Sequence, residues 1–133
     1  MRRLFADTFF FFAYVNAKDT AHKAADKFFD SFDGHLVTTE WLLTEVADGM
    51  AGIGDRETFA EFHEALRSDP AVRIVPSGAE LFARGMELYA SRKDKEWSLT
   101  DCISFVVMQR EGLEEALTGD RHFQQAGFRT LLH

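Results

Sequence analysis

Several acids in this sequence stand where chemistry could use them, at the end of an apolar strand or the start of an apolar helix. Arg3-Leu4-Phe5-Ala6 runs straight into Asp7-Thr8, Ser98-Leu99-Thr100-Asp101 opens the most apolar helix of the chain, and Leu117-Thr118-Gly119 leads to Asp120. A further helix, after His35-Leu36-Val37-Thr38, offers Glu40 and Glu45. Carboxylates that converge repel one another, by roughly 4 kcal/mol for two charges about 4 Å apart at an effective dielectric near 20. A hard divalent cation relieves that repulsion, and all-oxygen ligands with no His or Cys cluster select Mg2+ or Mn2+ over Zn2+. Such a site suits attack of water on a phosphodiester, one ion polarising the nucleophile and a second, when bound, stabilising the leaving oxygen.

Each acid also has an ordinary structural use. Asp7 or Thr8 can cap the helix that begins at Phe9. Asp101 completes Ser98-x-x-Asp101, a capping-box signature of the same kind as Ser77-x-x-Glu80. Asp120 after Gly119 is common turn chemistry, and Glu40 or Glu45 can be a solvated helix residue. His22, His35, His63, His122 and His133 show no metal-ligand spacing and read as surface or packing residues. Cys102, the only cysteine, reads as a small core residue.

Whether the acids meet depends on the elements that carry them. Short apolar strands are expected at Leu4–Ala6, His35–Thr38, Val72–Val75, Glu115–Thr118 and Phe128–Leu132. Helices are expected over Phe9–Val15, Asp19–Phe32, Glu40–Met50 and Asp55–Ser68, then from Ser77 to about Arg92 and onward from Ser98. In the Ser77 helix, Leu81, Phe82, Met86, Leu88 and Tyr89 read as the buried face. This alternation implies an α/β fold, a three-layer α/β/α sandwich with a mostly parallel five-stranded sheet. Right-handed crossovers then bring every strand's carboxyl end to one edge. That edge receives Asp7, Thr8, Thr38, Thr39, Thr118 and Asp120, with the helix start at Asp101 near it.

The 133 residues, 46% hydrophobic, read as a single domain over 1–133 with a sizeable core. One cysteine leaves no intrachain disulfide and no cysteine-built zinc site, and the longest apolar run, Phe9 to Val15, is too short to span a bilayer. The expectation is a soluble, cytoplasmic protein with no membrane association. A net charge of −7 argues against a passive nucleic-acid coat but not against a nuclease that meets phosphate through a cation and a few basic residues.

The blocks Arg3–Thr8, Val37–Glu45, Ser98–Phe105 and Leu117–Phe123 resemble, in order and over nearly the whole chain, the four signature blocks of PIN domains. The resemblance implies that Asp7, Glu45, Asp101 and Asp120 are an acidic quartet holding Mg2+ or Mn2+ for RNA cleavage, and it selects Glu45 over Glu40. It further implies a nuclease of the toxin type encoded with an antitoxin, the VapC-like members having this length. Alternatives are a non-toxin nuclease that processes RNA, or a catalytically weak binding domain, whose cue would be a lost acid. Thr8 and Thr118 are expected to orient the carboxylates from an outer shell. Arg92, Lys93, Lys95 and Arg121 are the basic residues placed nearest RNA. The aromatic surplus in Phe9–Phe12, Phe28, Phe29, Phe32, Phe59 and Phe62 suggests a homodimer with helix-on-helix contacts, and an antitoxin segment on remaining apolar surface.

Overall fold

Leu4, Phe5 and Ala6 have no polar side chain to expose, and they form the middle of a sheet covered on both faces. The computed structural model describes residues 2–16 and 18–132, and the expectation for His133 lies outside them. Its strands are β1 (Arg2–Ala6), β2 (Gly34–Thr39), β3 (Val72–Val75), β4 (Glu115–Leu117) and β5 (Arg129–Thr130). They lie in the order β3-β2-β1-β4-β5, every neighbouring pair parallel. β1 pairs Leu4 with Leu36 on one side and Ala6 with Leu117 on the other. The helices are α1 (Thr8–Val15), α2 (His22–Ser31), α3 (Glu40–Gly49), α4 (Arg56–Ser68), α5 (Ala79–Ser91), α6 (Leu99–Glu111) and α7 (Arg121–Gln125).

Alternation along the strands divides the core in two. Leu4, Ala6, Leu36 and Leu117 meet Phe10, Phe11, Ala25, Val46 and Leu66 from α1 to α4. Phe5, Val37 and Ala116 meet Ile103, Phe105 and Met108 of α6, Phe123 of α7 and Trp97. The three-layer sandwich is therefore present, and its sheet is parallel throughout. The chain builds outward from β1 through β2 to β3, then returns to place β4 on the other flank of β1. The crevice between β1 and β4 is thus the point where the winding reverses, where open α/β sheets bind ligands.

Several expectations change in detail. The aromatic run is spent inside the molecule: Phe10 contacts Phe11, Tyr14 and Phe29, and Phe11 and Tyr14 contact Phe62, leaving Phe9 as the exposed member of the run. Phe10 and Phe11 are thus core, while Phe12, Phe28, Phe29, Phe32, Phe59 and Phe62 pack against it only partly buried. On α5 the buried position is Gly85, where a Cβ would come within 2.4 Å of Ile103, so the helix approaches α6 through Leu81, Gly85 and Leu88. Phe82, Met86 and Tyr89, expected inside, are 47%, 38% and 49% exposed. Ser77 does not cap α5, whose N-cap is Gly78 without a side-chain bond; its N–H and hydroxyl donate to Glu40 Oε1 at 2.6 and 3.1 Å. Glu80 pairs instead with Arg110. The segment after Asp120, expected as a connection, is the short helix α7, and β5 is limited to Arg129–Thr130. Among the described residues no helix is long and apolar enough to cross a membrane.

Candidate active site

Asp7 follows the last residue of β1 and Thr118 the last residue of β4, so the two sit side by side at the reversal point. Asp7 has the backbone of a helix N-cap, yet its carboxylate makes no capping bond to α1. Instead Thr118 Oγ1 donates to Asp7 Oδ2 at 2.8 Å, and the Thr8 backbone N–H also bonds the carboxylate. For Thr8 it is therefore the amide that meets Asp7. Asp7 is only 4% exposed, and burial pushes its pKa up to about 6 against these two hydrogen bonds, with Asp101 and Asp120 adding repulsion. A capping role alone accounts for neither the bond to Thr118 nor the neighbouring charges.

Thr118 also fixes Asp120. Its hydroxyl accepts the Asp120 backbone N–H at 3.0 Å, linking both acids through one oxygen. The turn between them needs glycine, because a Cβ at Gly119 would lie 2.4 Å from the Leu132 carbonyl. Asp120 then caps α7, its Oδ1 accepting the His122 N–H at 2.9 Å.

Asp101 comes from the second core. Ser98 and Asp101 form the expected capping box at the start of α6, the Ser98 hydroxyl accepting from the Asp101 N–H and Asp101 Oδ2 accepting from the Ser98 N–H. The same carboxylate meets the imidazole of His122, Nδ1 to Oδ2 at 3.1 Å, so capping and site membership coexist. Burial raises the Asp101 pKa, and Asp120 adds to the shift. Ligand atoms of Asp101, Asp120 and His122 all lie within 4.8 Å of one another. His122, expected to be surface or packing, is thus drawn into the acid cluster. The signal in the sequence was Asp120-Arg121-His122, since an N-cap aspartate brings the residue two places on against itself.

Glu45 approaches from α3. It is exposed, but burial raises its pKa, the Thr100 hydroxyl bonds it, and Asp101 is a charged neighbour. Glu40 faces elsewhere, holding Ser77. The structure therefore gathers Asp101, Asp120 and His122 tightly, ties Asp7 to Asp120 through the Thr118 hydroxyl with the charges of both acids acting on it, and leaves Glu45 at the rim. Thr38 and Thr39, expected at this edge, serve the frame: Thr38 donates to the Ala6 carbonyl at 3.0 Å and Thr39 caps α3.

The basic residues flank this edge unequally. Arg92 bonds Asp94 through both Nε and Nη2 at 3.0 Å and stacks 5.0 Å over Trp97, so its charge is largely engaged. It shares a cleft of about 870 Å3 with Tyr89, Lys93, Lys95 and Ser98, and Ser98 joins that cleft to Asp101. Arg121 is exposed next to Asp120. Asp101, Asp120 and His122 could hold a divalent metal ion; the carboxylates by themselves suit a hard cation such as Mg2+ or Mn2+, whereas a ligating imidazole would not add to that preference.

A PIN domain family model matches residues 4–129. Over 126 residues the chain is 30% identical to the 23S rRNA-specific endonuclease VapC20 of Mycobacterium tuberculosis, covering 94% of this chain and 95% of that protein. The crystal structure of M. tuberculosis VapC20, described as a sarcin-ricin loop cleaving toxin, matches with a TM-score of 0.83 at 28% identity over 94% of this chain and 95% of that one. FitAcB from Neisseria gonorrhoeae shares the fold, with a TM-score of 0.67 at 18% identity over 96% of both chains. With the fold, the order of its elements and nearly its whole length accounted for, the chain belongs to the PIN domain family.

Proposed function

We propose that this chain is a Mg2+- or Mn2+-dependent endoribonuclease, the toxin of a type II toxin–antitoxin pair, acting as a single domain in the cytoplasm. The observation that carries the reading is the way the chain holds its acids. Asp101 and Asp120 each accept N–H donors through one carboxylate oxygen and leave the other without a protein donor among the described residues. Asp7 is buried beside them with Thr118 on Oδ2. Acids arranged only for packing or capping have no need of one another, whereas these keep like charges close at a cost that a cation removes. No acid of the quartet is missing, which favours catalysis over a binding-only domain. Similarity to VapC20 supports RNA as substrate and an antitoxin as partner.

In this mechanism Asp7, Asp101 and Asp120 would hold the cation, with Glu45 completing the set from the rim. When bound, the ion supplies Lewis acidity toward the phosphodiester and toward the attacking water. Thr118 keeps Asp7 and Asp120 in register, and the Ser98 capping box does the same for Asp101. Glu45, the most open of the four acids, has room to take the proton from water. Lys93, Lys95 and Arg121 meet phosphates, with Arg92 held more rigidly over Trp97.

The test is cleavage of an RNA that carries a ribosomal sarcin-ricin-type stem-loop. Cleavage is expected with Mg2+ or Mn2+ and not in chelator, and it should fall at least a hundredfold in Glu45→Gln and Asp101→Asn. Equal cleavage in chelator contradicts the proposal.

A further inference from the structure

His122 touches both carboxylates that α6 and α7 contribute, through different atoms. Its backbone N–H donates to Asp120 Oδ1 at 2.9 Å, and its imidazole Nδ1 lies 3.1 Å from Asp101 Oδ2 and 3.5 Å from Asp120 Oδ1. Ionised carboxylate oxygens only accept, so Nδ1 carries the hydrogen in this contact, which the neutral tautomer already provides. On Asp101 the imidazole and the Ser98 N–H, at 3.1 Å, converge on the same oxygen, Oδ2. Two donors on one oxygen fix the plane of the carboxylate and keep Oδ1 available. No bond within α7 requires the imidazole: the helix is already capped by Asp120, and Phe123 anchors it in the core.

We propose that His122 is a positioning residue for the cation site, its Nδ1–H locking Asp101 while its backbone locks Asp120, so that the free oxygens of the two acids face one ion. The inference rests on the metal reading above and deepens it. It differs from direct ligation, in which an imidazole nitrogen would bond the ion itself. The two roles separate by substitution, because an asparagine amide nitrogen falls near the place of Nδ1, whereas a glutamine amide reaches the place of Nε2. Outer-shell donors of this kind affect metal affinity by about ten- to a hundredfold.

The experiment is Mn2+ binding by isothermal titration calorimetry on wild type, His122→Ala, His122→Asn and His122→Gln, with melting temperatures taken in chelator. The expected result is a loss of about tenfold or more in His122→Ala and His122→Gln, affinity restored to within about threefold in His122→Asn, and similar melting temperatures in chelator for all four. Unchanged affinity in His122→Ala overturns the proposal. Loss in His122→Asn as large as in His122→Ala also overturns it, and points to ligation. A parallel fall in chelator melting temperature would make the residue structural and likewise overturn it. A wild type that binds no Mn2+ overturns the metal reading itself, an outcome distinct from the others.

Discussion

Asp7 carries the heaviest electrostatic load of the residues at the sheet edge. Its folded pKa of about 6 lies above the ordinary 3.8, so the folded state binds this proton more tightly than the unfolded state. Without a cation, stability from this group is fully present at low pH and is lost as pH rises from about 4 to about 6, by about 3 kcal/mol at roughly 1.4 kcal/mol per unit. Glu45 and Asp101, both raised mainly by burial, act with the same sign. Metal-free wild type is therefore expected to melt lower at pH 7 than at pH 5, and Asp7→Asn to flatten much of that difference. The measurement is thermal unfolding in chelator across that range; an identical slope in the variant would mean that Asp7 is ionised at little cost. Cys102 plays no part in this chemistry, since burial pushes its thiol up to about 11 and Asp101 adds to the effect.

Among the elements, α5 presents an exposed apolar stripe in addition to Phe9. Phe82, Met86 and Tyr89 follow one another at helical spacing and remain exposed, while Leu81, Gly85 and Leu88 face α6. Self-association by helix-on-helix contact through this stripe is a testable expectation. Sedimentation should then give a dimer for wild type and a monomer for Phe82→Glu with Met86→Glu, with cleavage of RNA by the monomer as a separate question. A wild-type mass that stays monomeric at every concentration removes the dimer. The α5 face was misjudged from sequence because Leu81, Phe82, Met86, Leu88 and Tyr89 form one apolar arc of roughly 160°, wider than the contact with α6, and the approach of Gly85 to Ile103 seats only the Leu81 and Leu88 side of it. Ser77 misled for a related reason: a capping box is a local pattern, and Glu40, distant in sequence, competes for the same hydroxyl.

At the scale of the molecule, the strand-and-helix alternation made the three layers legible, and the apolar β1 marked the centre of the sheet. Asp7, Asp101 and Asp120 were legible because each stands at an element boundary that the topology brings to one edge. Glu45 was not distinguishable from Glu40 by spacing, since both lie on α3; what separates them is that Thr100 and Asp101 meet one and Ser77 the other. His122 was missed because α7 is too short to show periodicity, so its approach to Asp101 depends on a tertiary contact. If the acids at the β1/β4 edge hold a cation, a Mn2+ titration of the melting temperature of wild type and Asp7→Asn will show it. In chelator the variant should melt higher, because it removes repulsion that no cation relieves. With Mn2+ the order should reverse, wild type gaining about 2.7 kcal/mol at a hundredfold excess over Kd and the variant much less. Equal shifts for both proteins across the titration would take Asp7 out of the metal site and contradict the account.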